Sequence, residues 1–389
     1  MVDPADRRPA RARPEAFGAL VQLETPPAVV AVDRALARRL GVDGGERWSG
    51  PDPGLDVEAL SAPVEVHVAA TARCPAGCRS CYLDATPDGH EPTFAEVEAR
   101  LEALAAAGVF RVAFGGGEAT LRPDLGALGA RARALGLVPT VTTSGRGLSA
   151  ERAAGLRAFA QVNVSYDGGP EAYRAVRGHD ATALAERAMA HLAAAGVPFG
   201  VNVVLTRRSI DALEDTVERA ERLGAVEAQL LRFKPSGRAS LTYLAERMTA
   251  AQVDAFPARL AALSRTSRLG LRIDCALLPF LAGADAVRPE DVRRFAVYGC
   301  EAGRSLLAVR ADGASAPCSF WQDGGRPFPE AWEADPAIEA FRAFAQQPPE
   351  PCASCAFFAS CRGGCRIVAG ALTGDAFQPD PECPRVRRR

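Results

Sequence analysis

Hydrophobic and polar positions change rhythm twice along the chain. Short β-prone apolar runs at 19–23 and 29–32, separated by Thr25, Pro26 and Pro27, predict a small hairpin; residues 33–40 predict one helix, and a Gly/Pro-rich stretch at 44–54 reads as a linker. From about residue 63 the pattern is strand then helix, repeated. Strands are predicted at 64–70, 109–114, 138–142, 162–166, 199–205 and 228–233. Between them lie Ala-rich amphipathic segments such as 94–107, 150–159, 183–195 and 210–223. Six alternations predict an α/β fold with a parallel sheet and helices outside it. Right-handed crossovers would curl that sheet toward a partial (β/α)6 TIM-like barrel. An open doubly wound sheet is the alternative that pattern alone leaves. After about residue 270 the alternation stops, the apolar runs shorten, and Gly, Pro and Cys become denser. Such a segment needs another source of stability, which metal clusters can supply. The expected organisation is an N-terminal extension (1–62), an α/β core (63–270) and a Cys-rich C-terminal domain (271–389). No internal repeat of fixed period is visible.

Composition narrows the function classes. The 389 residues are 48% hydrophobic, enough for a sizeable core rather than a disordered chain. A net charge of -1 offers no footprint for nucleic acid or a membrane surface, so neither is expected as a partner. Residues 1–15 are polar and rich in Arg and Pro, with no apolar stretch of a signal peptide, and no run long enough to span a membrane follows. A cytoplasmic protein is expected. Lys234 is the only lysine, which reads as coding bias toward Arg.

The eleven cysteines carry the chemistry. In an intracellular chain of this size, clustered Cys more often bind metal than form disulfides. Cys74, Cys78 and Cys81 form C-x3-C-x2-C just after the first core strand, which places them at the C-terminal mouth of a barrel. Three thiolates on one loop can hold three irons of a [4Fe–4S] cube, leaving the fourth open to a substrate or cofactor. A structural zinc usually takes four ligands. No fourth stands nearby, and His67 and His90 are poorly placed to be one.

With that loop and the motifs that follow it in order, the chain resembles the radical S-adenosylmethionine (SAM) superfamily over residues 63 to 240. Gly115-Gly116-Gly117-Glu118 follows the second strand, and the resemblance assigns it to the SAM amino group; glycine lets backbone approach a ligand closely. Thr142-Thr143-Ser144-Gly145 follows the third strand. Ser165-Tyr166-Asp167-Gly168 ends the fourth, and Arg177-Gly178 comes soon after. The resemblance implies that Ser165 and Arg177 hold the SAM carboxylate, a group that an Arg fork suits. Asn202 and Thr206, at the fifth strand's end, are weaker candidates for ribose or adenine. Against the family pattern, Ser80 precedes the last Cys of the loop and Pro75 follows the first, which puts adenine packing in doubt; Tyr82 keeps a common choice.

Cys300-x12-Gly313-x4-Cys318, then Cys352-x2-Cys355-x5-Cys361-x3-Cys365, then Cys383 after seventeen intervening residues, resemble the SPASM extension of these enzymes. A zinc ribbon would account for two of these pairs and not for the rest. The resemblance implies a distal auxiliary cluster on Cys352, Cys355, Cys361 and Cys383, and a proximal one on Cys300, Cys318 and Cys365. Cys275 is a candidate fourth proximal ligand, with a buried or a substrate-facing thiol as the other readings.

The cofactors implied are therefore three [4Fe–4S] clusters and SAM. The reaction implied is reductive cleavage of SAM to a 5′-deoxyadenosyl radical that takes a substrate hydrogen, with electrons from a partner such as flavodoxin or ferredoxin. Maturation of a ribosomally made peptide, by crosslinking or oxidation, is the expected activity; an oxidoreductase or epimerase acting on a sugar, antibiotic or tetrapyrrole precursor is the alternative, and a cluster-binding electron carrier is the non-enzyme reading. Sulfatase maturases of this group have an acidic residue where Ser319 stands. The segment 232–238 follows the sixth strand; it is expected either to grip an acidic substrate group or SAM through Arg232 or Lys234, or to be a solvated turn.

Overall fold

The computed structural model describes residues 11–24, 27–54, 57, 59–294 and 297–388. The N-terminal part is an antiparallel sheet of β1 (Arg11–Glu15), β2 (Gly18–Glu24) and β3 (Pro27–Asp33), followed by α1 (Arg34–Arg39). Asp33 ends β3 and caps α1, accepting from Leu36 N at 2.7 Å. The expected hairpin is β2–β3, with Thr25 and Pro26 outside the described residues. Strand β1 was not expected, because its sequence, RARPE, has no apolar alternation. Its arginines dock the sheet instead. Arg13, 6% exposed, donates to the carbonyls of Pro63 (2.9 Å), Gly108 (3.0 Å) and Ala62 (2.7 Å) and to Glu15 (2.8 Å). These partners precede the core strands, so the small sheet sits against their N-terminal ends.

The core runs β4 (Glu65–Thr71), α2 (Phe94–Ala106), β5 (Arg111–Gly116), α3 (Leu125–Ala134), β6 (Val138–Thr143), α4 (Ala150–Ala154), β7 (Gln161–Ser165), α5 (Pro170–Arg177), α6 (Thr182–Ala195), β8 (Phe199–Leu205), α7 (Leu213–Arg222) and β9 (Glu227–Arg232). Strands β4 to β9 are parallel and lie in sequence order across one sheet. That order decides between the two topologies. A doubly wound sheet reverses direction at a switch point, whereas strictly sequential strands wind one way and curl into a partial barrel. Three further strands extend the sheet: β10 (Gly270–Ile273) beside β9, and β11 (Leu306–Val309) with β12 (Ser315–Ala316) beside β4. They are two to four residues long and escape a periodicity test. The sixth connection carries the short α8 (Tyr243–Glu246) and the long α9 (Ala250–Thr266).

Strand faces differ sharply. Val66, Val68, Val112, Phe114, Val141, Val162, Val164, Val201 and Leu230 point outward into one core with Leu101, Leu104, Leu128, Met189 and Leu192 of the helices. Burying each such side chain contributes about 1.5–3 kcal/mol. The other face is polar. Register puts Glu65 beside Arg111, His67 beside Ala113, Thr140 beside Gln161, Thr142 beside Asn163 and Ser165 beside Asn202. The lumen is thus half-buried and hydrophilic, where many barrels of this kind are filled by branched apolar layers. Among the described residues no helix is long and apolar enough to cross a membrane.

Candidate active site

The cysteine loop leaves β4 at the barrel mouth and is held by backbone. Cys74 N donates to Thr86 O (2.8 Å), Arg79 N to Arg177 O (3.0 Å) and Cys81 N to Cys78 O (3.3 Å). Burial pushes the Cys74 and Cys78 thiols up, the neighbouring Cys81 adds to both, and Arg177 beside Cys78 works against it. Iron binding takes the thiolate, and a cation next to Cys78 favours that form. Among the described residues no group of three His, Cys, Asp or Glu converges to hold a single metal ion.

The glycines beside the loop are needed for two reasons. A Cβ on Gly116, whose φ is 107°, would stand 2.1 Å from Thr71 O, and one on Gly117 would stand 2.1 Å from Arg73 O, so β5 passes against the cysteine loop without room for a side chain. A Cβ on Gly115 would meet nothing within 4 Å: here the strand edge borders open space. Glu118, 2% exposed, does not reach that space. One oxygen accepts from Thr120 Oγ1 and Thr143 Oγ1, both 2.7 Å, and the other from Ser144 N (2.9 Å) and Ser144 Oγ. Glu118 and Ser144, both expected at the cofactor, spend these groups on each other and join the ends of β5 and β6. The Thr120–Thr143 pair in this network was not foreseen; nothing distinguishes those threonines in the sequence.

On the opposite side, Asp167 is fully buried and accepts from Arg177 Nε (2.6 Å) and Val204 N (2.9 Å). The pair is no surface ion pair: the Arg177 side chain is 15% exposed, lies over the Tyr173 ring, and is held above the usual guanidinium range by Asp167 despite its burial. Its Nε is committed to Asp167, and the guanidinium also hydrogen-bonds the Cys78 side chain. Asn202, 8% exposed, has a buried Oδ1 with no hydrogen-bond partner, beside Ser165 in the register. An orphaned acceptor costs free energy unless a donor arrives, and a ribose or adenine brings donors. Thr206 bonds with Ser209 at 3.1 Å and serves the local turn instead. An acceptor orphan, a guanidinium beside Cys78 and an open glycine edge around three thiols fit a cluster with SAM.

The C-terminal thiols form two groups, and all eleven cysteines are free. Burial raises Cys361 well above its usual value, and Cys383, Cys352 and Cys355 add to that, so these four are neighbours. Cys300, pushed to about 11, and Cys318, to about 12, are raised chiefly by burial and sense Cys365. Cys275 belongs with them: burial, then Asp274, Cys300 and Cys365 raise it. The loop after Cys318 reaches the first cysteine loop, with Phe320 against Tyr82 (centroids 4.7 Å apart) and Gln322 Nε2 donating to Tyr82 O (3.2 Å). Ser319 lies 2.8 Å from His67 Nδ1, and His67 Nε2 lies 3.1 Å from Glu65, a hydrogen-bonded chain down the lumen wall that the sequence did not suggest.

The segment 232–238 is no solvated turn. Arg232, 4% exposed, forks onto Asp380 (2.6 and 3.1 Å) and reaches Glu382 (2.8 Å), and Lys234, 6% exposed, pairs with Asp274. Arg238 Nε donates to Cys78 O (3.0 Å), and a Cβ on Gly237 would crowd Cys81 O at 2.7 Å. The segment therefore joins the two Cys-rich regions, and its two buried cations are already spoken for by protein carboxylates.

Residues 68–220 match the family model described as the radical SAM superfamily. The chain is 33% identical over 342 residues to a PqqA peptide cyclase of Streptomyces rochei, covering 84% of this chain and 90% of that one. It is 32% identical over 341 residues to the mycofactocin maturase MftC of Mycobacterium ulcerans, covering 83% and 88%. Among solved structures, Streptococcus suis SuiB bound to its precursor peptide SuiA shares the fold at a TM-score of 0.74 and 17% identity, over 96% of this chain and 98% of that one.

Proposed function

The chain belongs to the radical SAM superfamily, and on that premise we propose that it is an enzyme that crosslinks or oxidises a ribosomally made peptide. One observation carries the reading: the cysteines gather into three sets, one at the barrel mouth and two in the C-terminal region that closes over it. A peptide as substrate is supported by two relatives that match nearly end to end, a PqqA peptide cyclase and a mycofactocin maturase.

When bound, a [4Fe–4S] cluster and SAM supply a 5′-deoxyadenosyl radical able to take hydrogen from an unactivated C–H bond. The chain's own residues do the rest. Cys74, Cys78 and Cys81 hold three irons. The Gly115–Gly117 edge accepts the amino end of SAM, Arg177 with Ser165 takes its carboxylate, and Asn202 receives a donor from the nucleoside. Asp167 fixes the Arg177 plane beside Cys78, next to where the ligand would sit. The loop at 318–322, packed on Tyr82, screens the mouth from water, and the polar lumen suits the amides of an extended peptide.

Two auxiliary clusters complete the assignment: a distal one on Cys352, Cys355, Cys361 and Cys383, and a proximal one on Cys300, Cys318 and Cys365. Cys275 is the fourth proximal ligand in this reading, supported by its place among those thiols. The functional division remains 1–62, 63–270 and 271–389, although β10 and β11 lend strands to the core sheet. Thiols kept reduced point to the cytoplasm, and a flavodoxin- or ferredoxin-type carrier would deliver the electrons.

The test is anaerobic reconstitution followed by turnover. The protein should hold about twelve irons, three four-iron clusters, release 5′-deoxyadenosine from SAM under a strong reductant, and remove hydrogens from a short peptide encoded beside its gene. Saturation at about four irons would refute the auxiliary sites, and no 5′-deoxyadenosine at full iron loading would refute the activity.

A further inference from the structure

The chain's only lysine is buried where a mobile surface cation is least expected. Lys234 pairs with Asp274 and sits 4.3 Å from the centroid of the Phe320 ring. Paired with a carboxylate that is buried like itself, it is a positive charge fixed in place. Asp274 in turn touches a proximal thiol, accepting from Cys275 Sγ at 3.2 Å. Nearby Arg232 is consumed by Asp380 and Glu382. Within segment 232–238, Lys234 is thus the cation whose charge pairs with the carboxylate that touches Cys275.

A buried ion pair is weak evidence for stability, since desolvation offsets attraction. Charge and hydrogen bonds at the sulfurs do, however, set how readily an iron–sulfur cluster is reduced. We propose that Lys234 and Asp274 set the reduction potential of the proximal auxiliary cluster, Lys234 raising it and Asp274 restraining it. The inference rests on the auxiliary-cluster reading above. A cluster held there would accept one electron from a substrate-derived radical, which would lose a proton to become closed-shell product, and the ammonium of Lys234 would stabilise the charge added to the cluster.

The experiment uses the full-length chain with Cys74, Cys78 and Cys81 replaced by Ala, reconstituted anaerobically, so that only the auxiliary sites hold iron. Iron is counted, and redox titration is followed by electron paramagnetic resonance. Lys234→Met should make one cluster at least tenfold harder to reduce, about 59 mV for a one-electron step. Asp274→Asn should move the same cluster the opposite way by a comparable factor. Lys234→Met with Asp274→Asn should return it toward the parent, and the second cluster should stay put throughout. Unshifted potentials, or shifts of one sign in both single variants, would overturn the proposal. If Lys234→Met sheds iron, Asp274→Asn decides alone: a rise upholds the proposal and no change overturns it. A parent holding fewer than about eight irons would instead defeat the auxiliary-cluster reading.

Discussion

Replacing Arg177 by Met should damage the protein in two separable ways. The first is stability. Asp167 is fully buried, and Arg177 Nε at 2.6 Å is its charged partner; without it the carboxylate keeps only Val204 N. Breaking a buried pair by removing one member costs about 3–5 kcal/mol, enough to consume a large part of an ordinary domain's stability. The second is ligand affinity. A charged hydrogen bond contributes about 1.5–3 kcal/mol, so losing the fork to the SAM carboxylate should weaken binding by roughly 10- to 150-fold, at 1.4 kcal/mol per decade. Adding Asp167→Asn to Arg177→Met separates the two effects, because a neutral amide no longer needs the cation. The double variant should recover most of the stability, measured by urea denaturation, and none of the affinity, measured by equilibrium dialysis of SAM against cluster-loaded protein. Wild-type SAM affinity in the double variant would show that Arg177 serves only Asp167. Unchanged stability in Arg177→Met alone would show that the pair carries no structural weight.

Three further outcomes follow from the geometry. Burial would raise the Glu65 carboxyl, but the hydrogen bond from His67 and the charges of His67, Arg111 and Arg272 bring it down to about 2 from 4.5; the stability this gives is present above about pH 4.5 and lost as pH falls toward about 2, at most about 3 kcal/mol at 1.36 per unit. Glu65→Gln should flatten that part of an acid-denaturation curve, and an identical curve would refute the assignment. Gly116→Ala should lose iron from the first cysteine loop and SAM binding, because its Cβ would stand 2.1 Å from Thr71 O at a φ of 107°; full iron and affinity would show that the close pass is dispensable. Cys275→Ser should alter the spectrum of one auxiliary cluster alone, and an unchanged spectrum would return Cys275 to the role of a buried thiol.

The core was legible because its physics is local. Outward valines alternate with polar lumen residues, and each apolar helical stripe has the right period, so the six strands fall within two residues of their expected bounds. Motif order also placed the candidate site residues at consecutive strand ends, where the fold has them. What stayed hidden depends on partners far away in sequence. Nothing near Arg232 announces Asp380, 148 residues on, and nothing near His67 announces Ser319, 252 residues on. Strand β1 was invisible because its buried arginines are satisfied by carbonyls of another element, which no hydrophobic pattern encodes. Glu118 shows the reverse limit: the motif marks the position, but not that both of its oxygens turn inward.

The pairing of β11 with β4 has a consequence for synthesis. Leu306–Val309 lies along Glu65–Val68, so the first core strand made waits some 240 residues for its outer neighbour. Until then β4 presents an unpaired row of backbone amides and carbonyls, the kind of edge that templates aggregation. The nascent chain therefore carries its cysteine loop next to an open edge for most of translation. Completion of the sheet, docking of Phe320 on Tyr82 and gathering of the last thiols all fall to residues made late. Iron delivered to Cys74, Cys78 and Cys81 before that point would sit in an unshielded loop, so a cell that makes this protein in quantity needs chaperone cover and iron supply matched to release from the ribosome.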